Sequence, residues 1–225
     1  MAVLVAGGTG ALGGAVLREL VDSGYQVSAT WLVEQEAKRI ESELGDSVRL
    51  MQADLLDPGG AAQAVEAVAD LEAVVNLVGG FSDGPKVHET EPADFQRMIR
   101  LNVEPAFNLA RAAMPVLAER GASAFVGVSA RAAIRPFPGA AGYITGKAAL
   151  LAFVKALDAE YKGSGVRCNA VLPSVIDTPA NRRATPDADF SRWVQPAEIA
   201  KVIRFLVSPD SAPVSGAGVP VYGRA

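Results

Sequence analysis

Residues Ala2–Gly14 read AVLVAGGTGALGG, and this stretch decides the fold. Its first five residues, Ala2–Ala6, are apolar without polar alternation, the pattern of a strand buried on both faces of a sheet. A glycine cluster follows at once, and from Leu12 the apolar spacing turns helical. Gly8, Gly10 and Gly13 thus fit G-x-G-x-x-G between a strand and a helix. Glycines in that setting let backbone N–H groups approach a pyrophosphate while a helix N-terminus faces its charge. Outside this context the pattern is weak. Within it, the remaining alternative is a Gly-rich turn that only packs helix on strand.

The same alternation continues along the chain. Apolar runs at Gln26–Thr30, Val48–Gln52, Ala73–Val78, Ala124–Val128, Val166–Leu172 and Gly218–Val221 read as strands. Helical spacing covers Leu12–Asp22, Glu34–Leu44, Gly60–Ala69, Pro92–Glu119, Ala141–Tyr161 and Pro196–Val207. Gly24, Gly45, Gly121 and Gly163 stand at or just past helix ends, where a left-handed residue is wanted. Strands alternating with helices imply a doubly wound parallel α/β sheet (a Rossmann fold) in three α/β/α layers, one domain over residues 1–225. The one long irregular connection, Asp177–Trp193, is a candidate flap.

Composition narrows the class. The 225 residues are 50% hydrophobic and 20% charged, which excludes intrinsic disorder. A formal net charge of −4, with no basic block, argues against nucleic acid or an anionic membrane as partner. One cysteine cannot make an internal disulfide, and one Cys with one His gives no metal-ligand spacing. No apolar run approaches the ~18 residues of a membrane span. The N-terminus reads as a strand and not as a signal peptide, so a cytoplasmic location is expected.

Two further stretches carry chemistry. Tyr143-Ile144-Thr145-Gly146-Lys147 opens a long apolar helix, which puts Tyr143 and Lys147 on one face. A free phenol, with a pKa of about 10, is a poor acid–base catalyst near neutrality, and an adjacent ammonium lowers that pKa. Alone, such a pair is an ordinary helix-surface feature. Ala29-Thr30-Trp31 ends the second strand, where dinucleotide folds commonly carry a carboxylate for the adenosine ribose. No carboxylate precedes Glu34, and Lys38 and Arg39 stand further on, so NAD and NADP both stay open.

Taken together, the glycine loop and Tyr143-x-x-x-Lys147 resemble the short-chain dehydrogenase/reductase family over nearly the whole chain. Asp54 in ADLLDP is similar to the family's adenine-contacting Asp, with Leu55 beside it. Asn76-Leu77-Val78-Gly79 stands where the family has its Asn-Asn-Ala-Gly stretch, and Asn102 matches its helical catalytic Asn. Pro173, Val175 and Thr178 in LPSVIDTP resemble the segment over the nicotinamide, with Ser174 replacing a Gly. The resemblance implies a coenzyme site of Gly7, Thr9, Gly10, Ala11, Leu12, Gly13, Asp54, Leu55, Val78, Gly79, Tyr143, Lys147, Pro173, Val175 and Thr178. It also implies hydride transfer between nicotinamide and a small-molecule substrate, with Tyr143 moving the proton. Lys147 would hold the ribose and depress the Tyr143 pKa, and Asn102 would support a proton relay. A homodimer or homotetramer is implied as well.

The departures are informative. Ala6 and Ala11 replace the usual Thr and second Gly of the loop. Ala130 stands where the family carries its catalytic Ser, and Ser129, one residue off, would face the opposite side of a strand end unless a bulge corrects it. An Ala at that position, the GGTGALG loop, Gly79-Gly80 and the stretch Leu172–Trp193 resemble the quinonoid dihydropteridine reductase members of the family. Trp31 and Asn102 depart from them. The expectation is an NAD(P)-dependent reductase of a carbonyl or an activated, quinonoid or pterin-like acceptor. The alternatives are a keto-reductase using Ser129 and a dinucleotide-sensing protein without turnover. Loops 81–88 and 177–193 would set specificity. Phe81 and Trp193 read either as pocket lining or as packing, Arg182-Arg183 as solvated charge, Cys168 as a core thiol and His88 as a surface side chain.

Overall fold

In a computed structural model describing residues 1–224, the alternation becomes a single parallel sheet. The strands are β1 (Ala2–Ala6), β2 (Gln26–Trp31), β3 (Val48–Gln52), β4 (Leu71–Asn76), β5 (Ser123–Val128), β6 (Val166–Pro173) and β7 (Gly218–Val221). The helices are α1 (Ala11–Asp22), α2 (Glu34–Leu44), α3 (Pro58–Glu66), α4 (Pro92–Arg120), α5 (Ala141–Tyr161), α6 (Pro179–Ala184) and α7 (Pro196–Val207). Strand order is β3-β2-β1-β4-β5-β6-β7, and every pairing is parallel. Side chains alternate between two cores. Leu4, Val74, Phe125 and Cys168 pack under α3, α4 and α5, whereas Val3, Val5, Val75 and Val126 pack under α1, α2 and α7. With both faces covered, the strands need apolar residues at every position, which is why β1 shows no alternation. The chain reverses its direction of winding between β1 and β4. In open α/β sheets that crevice, outside the C-terminal strand ends, is where ligands bind.

Three local differences from the sequence pattern have physical causes. β4 runs Leu71–Asn76 and not Ala73–Val78, because beyond Asn76 the chain turns and Val78 comes against Gly7. Leu77 N still donates to Ala6 O, but Val78 N turns back to Asn76 Oδ1 at 3.2 Å. Gly163 is not the left-handed residue after α5. It lies inside a 3₁₀ turn, Lys162–Ser164, and Gly165 takes the positive φ of 79° instead. A Cβ at Gly165 would run into the Gly121 carbonyl, so only glycine fits there. The flap Asp177–Trp193 is partly ordered by α6 and by a 3₁₀ turn at Phe190–Arg192. Thr178 caps α6 through its hydroxyl oxygen and Pro179 occupies its first turn, the residues a helix start favours.

Candidate active site

The glycine loop is held by β2. Gly7, at φ +71°, donates its N–H to Thr30 Oγ1 at 3.0 Å, and Gly8 N donates to Thr30 O at 3.2 Å. Sequence reasoning missed Thr30, because a single strand-end hydroxyl carries no pattern. A Cβ on Gly13 would overlap the Gly8 carbonyl, and one on Gly8 would lie 2.8 Å from the Ala29 Cβ. A Cβ on Gly10, by contrast, would meet nothing nearer than Gly7 O at 3.7 Å. The loop is therefore packed tight below and open above. No side chain caps α1 at Gly10, so its first-turn N–H groups have no intrahelical acceptor. Open N–H groups and the positive end of a helix dipole suit a pyrophosphate, and these residues fit a dinucleotide. Of the other residues expected at the coenzyme, Leu55 is buried and Asp54 is exposed, with its Oδ1 accepting from Leu56 N in an Asx turn.

Across β4 the catalytic candidates converge on Gly79. A Cβ there would lie 2.6 Å from Asn102 Oδ1 and 2.7 Å from Lys147 Nζ, so only glycine leaves both groups their place. Asn102 clasps the next residue, accepting from Gly80 N at 3.2 Å and donating to Gly80 O at 3.0 Å. Two residues of α5, Gly142 and Gly146, let it press against α4. Their Cβ positions fall 3.1 Å from Met98 Cβ and 3.0 Å from Met98 O. That close approach sets the depth of Tyr143 and Lys147. Phe81 stands edge-on to the Tyr143 ring, with centroids 5.0 Å apart.

Burial governs the charges of this pair. It pushes the Tyr143 phenol up to about 12 and the Lys147 ammonium down to about 8. The expected depression of the Tyr143 pKa by Lys147 is therefore not what the protein alone produces. Lys147 Nζ donates to Val128 O at 3.0 Å, and loss of water around the phenol is the larger influence. At neutral pH Tyr143 is thus a phenol, the form that can give a proton.

Ser129 does not turn toward this cluster. Its hydroxyl is buried and donates to Lys147 O at 2.8 Å, and Ser129 N bonds Val171 O in continuation of the β5–β6 ladder. The ladder carries no bulge that would reverse the side chain. Ala130, with extended backbone, follows it.

The flap is fastened at its base and within itself. Its two ends are joined by a parallel bridge between Ile176 and Val194. Asp177 accepts from Arg182 Nη2 at 2.7 Å and from Gln195 Nε2 at 2.8 Å, and these bonds hold its carboxyl down at about 2. The Arg182 guanidinium in turn lies 4.7 Å over the Phe190 ring, which packs on Trp193 at 4.7 Å. Arg182 is thus a fastening and not a free solvated charge. Thr178 Oγ1 accepts from Asn181 N at 3.2 Å, while Val175 is exposed. Pro173 ends β6, and Ser174 is pinned to Tyr222 O at 2.8 Å. Cys168 is buried, its thiol pushed up to about 12 by burial, and His88 lies exposed beside Glu89.

Comparison with known proteins gives the family. A family profile described as Enoyl-(Acyl carrier protein) reductase matches residues 8–223. A solved structure titled short chain dehydrogenase/reductase family protein superposes with a TM-score of 0.91 at 30% identity, covering 99% of this chain and 96% of that one. The chain belongs to the short-chain dehydrogenase/reductase family. It is accordingly an NAD(P)-dependent oxidoreductase. Within the family it is 28% identical to 2-(R)-hydroxypropyl-CoM dehydrogenase of Xanthobacter autotrophicus, over 98% of this chain and 96% of that protein. The 3-ketoacyl-(acyl-carrier-protein) reductase of Brucella melitensis, solved in complex with NADH, superposes at a TM-score of 0.88 with 25% identity, covering 99% and 97%. Among the described residues, no helix is long and apolar enough to cross a membrane.

Proposed function

We propose that this short-chain dehydrogenase/reductase reduces an electron-poor acceptor, a quinonoid or pterin-like small molecule, in preference to a plain ketone. The observation that carries the reading is at the end of β5, where Ala130 has no donor and the Ser129 hydroxyl is spent on Lys147 O. A ketone builds oxyanion charge as it is reduced, and removing one well-placed donor to such charge costs about 3–4 kcal/mol. An acceptor that is already electron-poor demands less of that donor.

A dinucleotide held here would supply the hydride. Tyr143, a phenol at neutral pH, gives its proton to the reduced acceptor. Lys147 stands ready to hold the ribose hydroxyls, and Asn102 fixes the Gly79-Gly80 backbone beneath them. Glycine-loop N–H groups and the α1 terminus bind the pyrophosphate. Asp54, Leu55, Val78, Pro173, Val175 and Thr178 border the coenzyme, and loops 81–88 and 177–193 choose the acceptor. The finer likeness to quinonoid dihydropteridine reductase belongs to this reading. So do a cytoplasmic location and a homo-oligomer, dimer or tetramer, whose contact face is supported by exposed Phe107 and Val116 on α4.

Steady-state assays with quinonoid dihydropterin, a para-quinone and a plain ketone test the proposal. Activated acceptors should be preferred by roughly 100-fold, the effect of one missing oxyanion donor. Ala130→Ser should raise ketone turnover, and Ser129→Ala should leave the ranking unchanged. Efficient ketone reduction that disappears in Ser129→Ala would replace this reading with a keto-reductase using Ser129.

A further inference from the structure

The coenzyme end of the cleft carries an opposed pair of charges that comes from α2 and not from the end of β2. β2 stops at Trp31, and Leu32 and Val33 beyond it are exposed and apolar. Glu36 Oε2 accepts from Thr9 Oγ1 at 3.3 Å, while Arg39 Nη2 donates to Thr9 O at 2.7 Å. Both charges therefore meet at a glycine-loop residue that is almost wholly buried. A Cβ on Gly14 would lie 3.6 Å from Arg39 Nη1, so the guanidinium also rests against the opening of α1.

The surrounding charges are already engaged. Lys38 pairs with Glu34 at 2.7 Å, and Arg18 takes Glu43 at 2.9 Å. Arg39 reaches that same Glu43 only at 3.6 Å. Arg39 is thus a positioned cation, anchored to the loop by one N–H, with its side chain 45% exposed.

We propose that Arg39 and Glu36, acting at Thr9, decide which nicotinamide dinucleotide this chain binds, with Arg39 giving the 2′-phosphorylated form the preference. A guanidinium offers several N–H donors in a fixed plane, the geometry that phosphate oxygens accept. The Glu36 carboxylate repels that phosphate, yet it can accept from the 2′-hydroxyl of the unphosphorylated form. Trp31 removes the strand-end carboxylate that excludes the phosphate in other dinucleotide folds. The two α2 residues then push the choice in opposite directions, which a purely structural tie between α2 and the loop does not do. The proposal concerns the coenzyme alone and stands apart from the identity of the acceptor.

Equilibrium binding of NADPH and NADH, each measured by calorimetry, tests it without turnover. The wild-type chain should bind NADPH at least ~10-fold more tightly than NADH, as a charge-assisted contact allows. Arg39→Met should weaken NADPH by a similar factor and leave NADH within about 2-fold, with Arg39→Lys restoring part of the loss. Glu36→Gln should tighten NADPH and weaken NADH. Thermal melts of each apo variant establish that it is folded. Equal loss of both coenzymes in folded Arg39→Met would make Arg39 a structural tie only. A wild-type preference for NADH, or no response to either substitution, would also overturn the assignment.

Discussion

The two ends of the cleft are built differently. At the coenzyme end the contacts belong to the backbone: Gly7 and Gly8 N–H groups on Thr30, Gly13 pressed beneath the Gly8 carbonyl, and Gly79 between Asn102 and Lys147. At the acceptor end the contacts belong to side chains on exposed loops: Asp177 with Arg182 and Gln195, Arg182 over Phe190, and Phe190 on Trp193. A Cβ at Gly8, Gly13 or Gly79 would meet an atom closer than 3.0 Å, so the coenzyme end is intolerant of change at these positions. Side-chain fastenings can be exchanged one at a time, which leaves the acceptor end free to diverge on a constant frame.

The largest effects should come from the intolerant end. Gly13→Val places a branched side chain against the Gly8 carbonyl, and nothing soft is there to yield. We expect a loss above about 3 kcal/mol, the range of severe overpacking and strain, with coenzyme binding abolished. Melting and dinucleotide titration check this; a variant that melts and binds like wild type would show that the loop is not close-packed. Tyr143→Phe should follow, lowering turnover by roughly 10²–10⁴, the usual contribution of a positioned proton donor. Coenzyme affinity and the Phe81 edge contact should survive, so unchanged turnover would remove Tyr143 from the mechanism.

Lys147 joins the two ends and carries a cost. Burial lowers it from 10.5 to about 8, so below pH 8 the folded chain keeps a cation where water is excluded. Between about 8 and 10.5 the unfolded chain holds more protons at this residue. Its contribution to stability therefore rises with pH across that window, and the penalty is fully present below it. Lys147→Met should raise the melting temperature at pH 7 by a few °C, the trade between stability and function expected at a strained site. Turnover should vanish with it. The gain should shrink when melts are repeated near pH 10, and a variant less stable at pH 7 would mean that the bond to Val128 O outweighs desolvation.

The same contrast explains what could be read from sequence. Ala2–Gly14 revealed the fold because a doubly buried strand and a close-packed glycine turn each restrict residue type at every position. Tyr143 and Lys147 stood out only beside the glycine loop, since their spacing alone is an ordinary helix-surface feature, and Gly79 stood out from its place after β4. Glu36 and Arg39 were not legible as a pair, since their meeting at Thr9 depends on how α2 lies against the loop, and Thr30 was not because a lone strand-end hydroxyl carries no pattern. Ser129 was ambiguous by one residue, and only its bond to Lys147 O decides which way it faces. The rise in the Tyr143 pKa was equally hidden. Helical spacing reports neighbours on the same helix, whereas desolvation depends on everything packed around it.

The smallest effect belongs to the exchangeable fastening. Asp177 is ionised at every pH above the ordinary carboxylate range, because Arg182 and Gln195 hold its carboxyl at about 2. The latch is therefore intact from pH 5 to 8 and fails only as pH falls through about 2. Asp177→Asn keeps an acceptor but loses the charge that orients the Arg182 guanidinium, so α6 should loosen while the sheet beneath it is untouched. We expect KM for the acceptor to rise a few-fold, kcat and coenzyme affinity to hold, and the melting temperature to change little, because the pair ties α6 and not the sheet. Trypsin cleavage after Arg182 or Arg183 should quicken in the variant and stay constant for wild type between pH 5 and 8, once corrected for the protease's own pH response. A variant cut at the wild-type rate would mean that the Ile176–Val194 bridge closes the flap without the latch. In that case specificity would rest on the base of the flap, which is backbone, and the acceptor end would be less divergent than its side chains suggest.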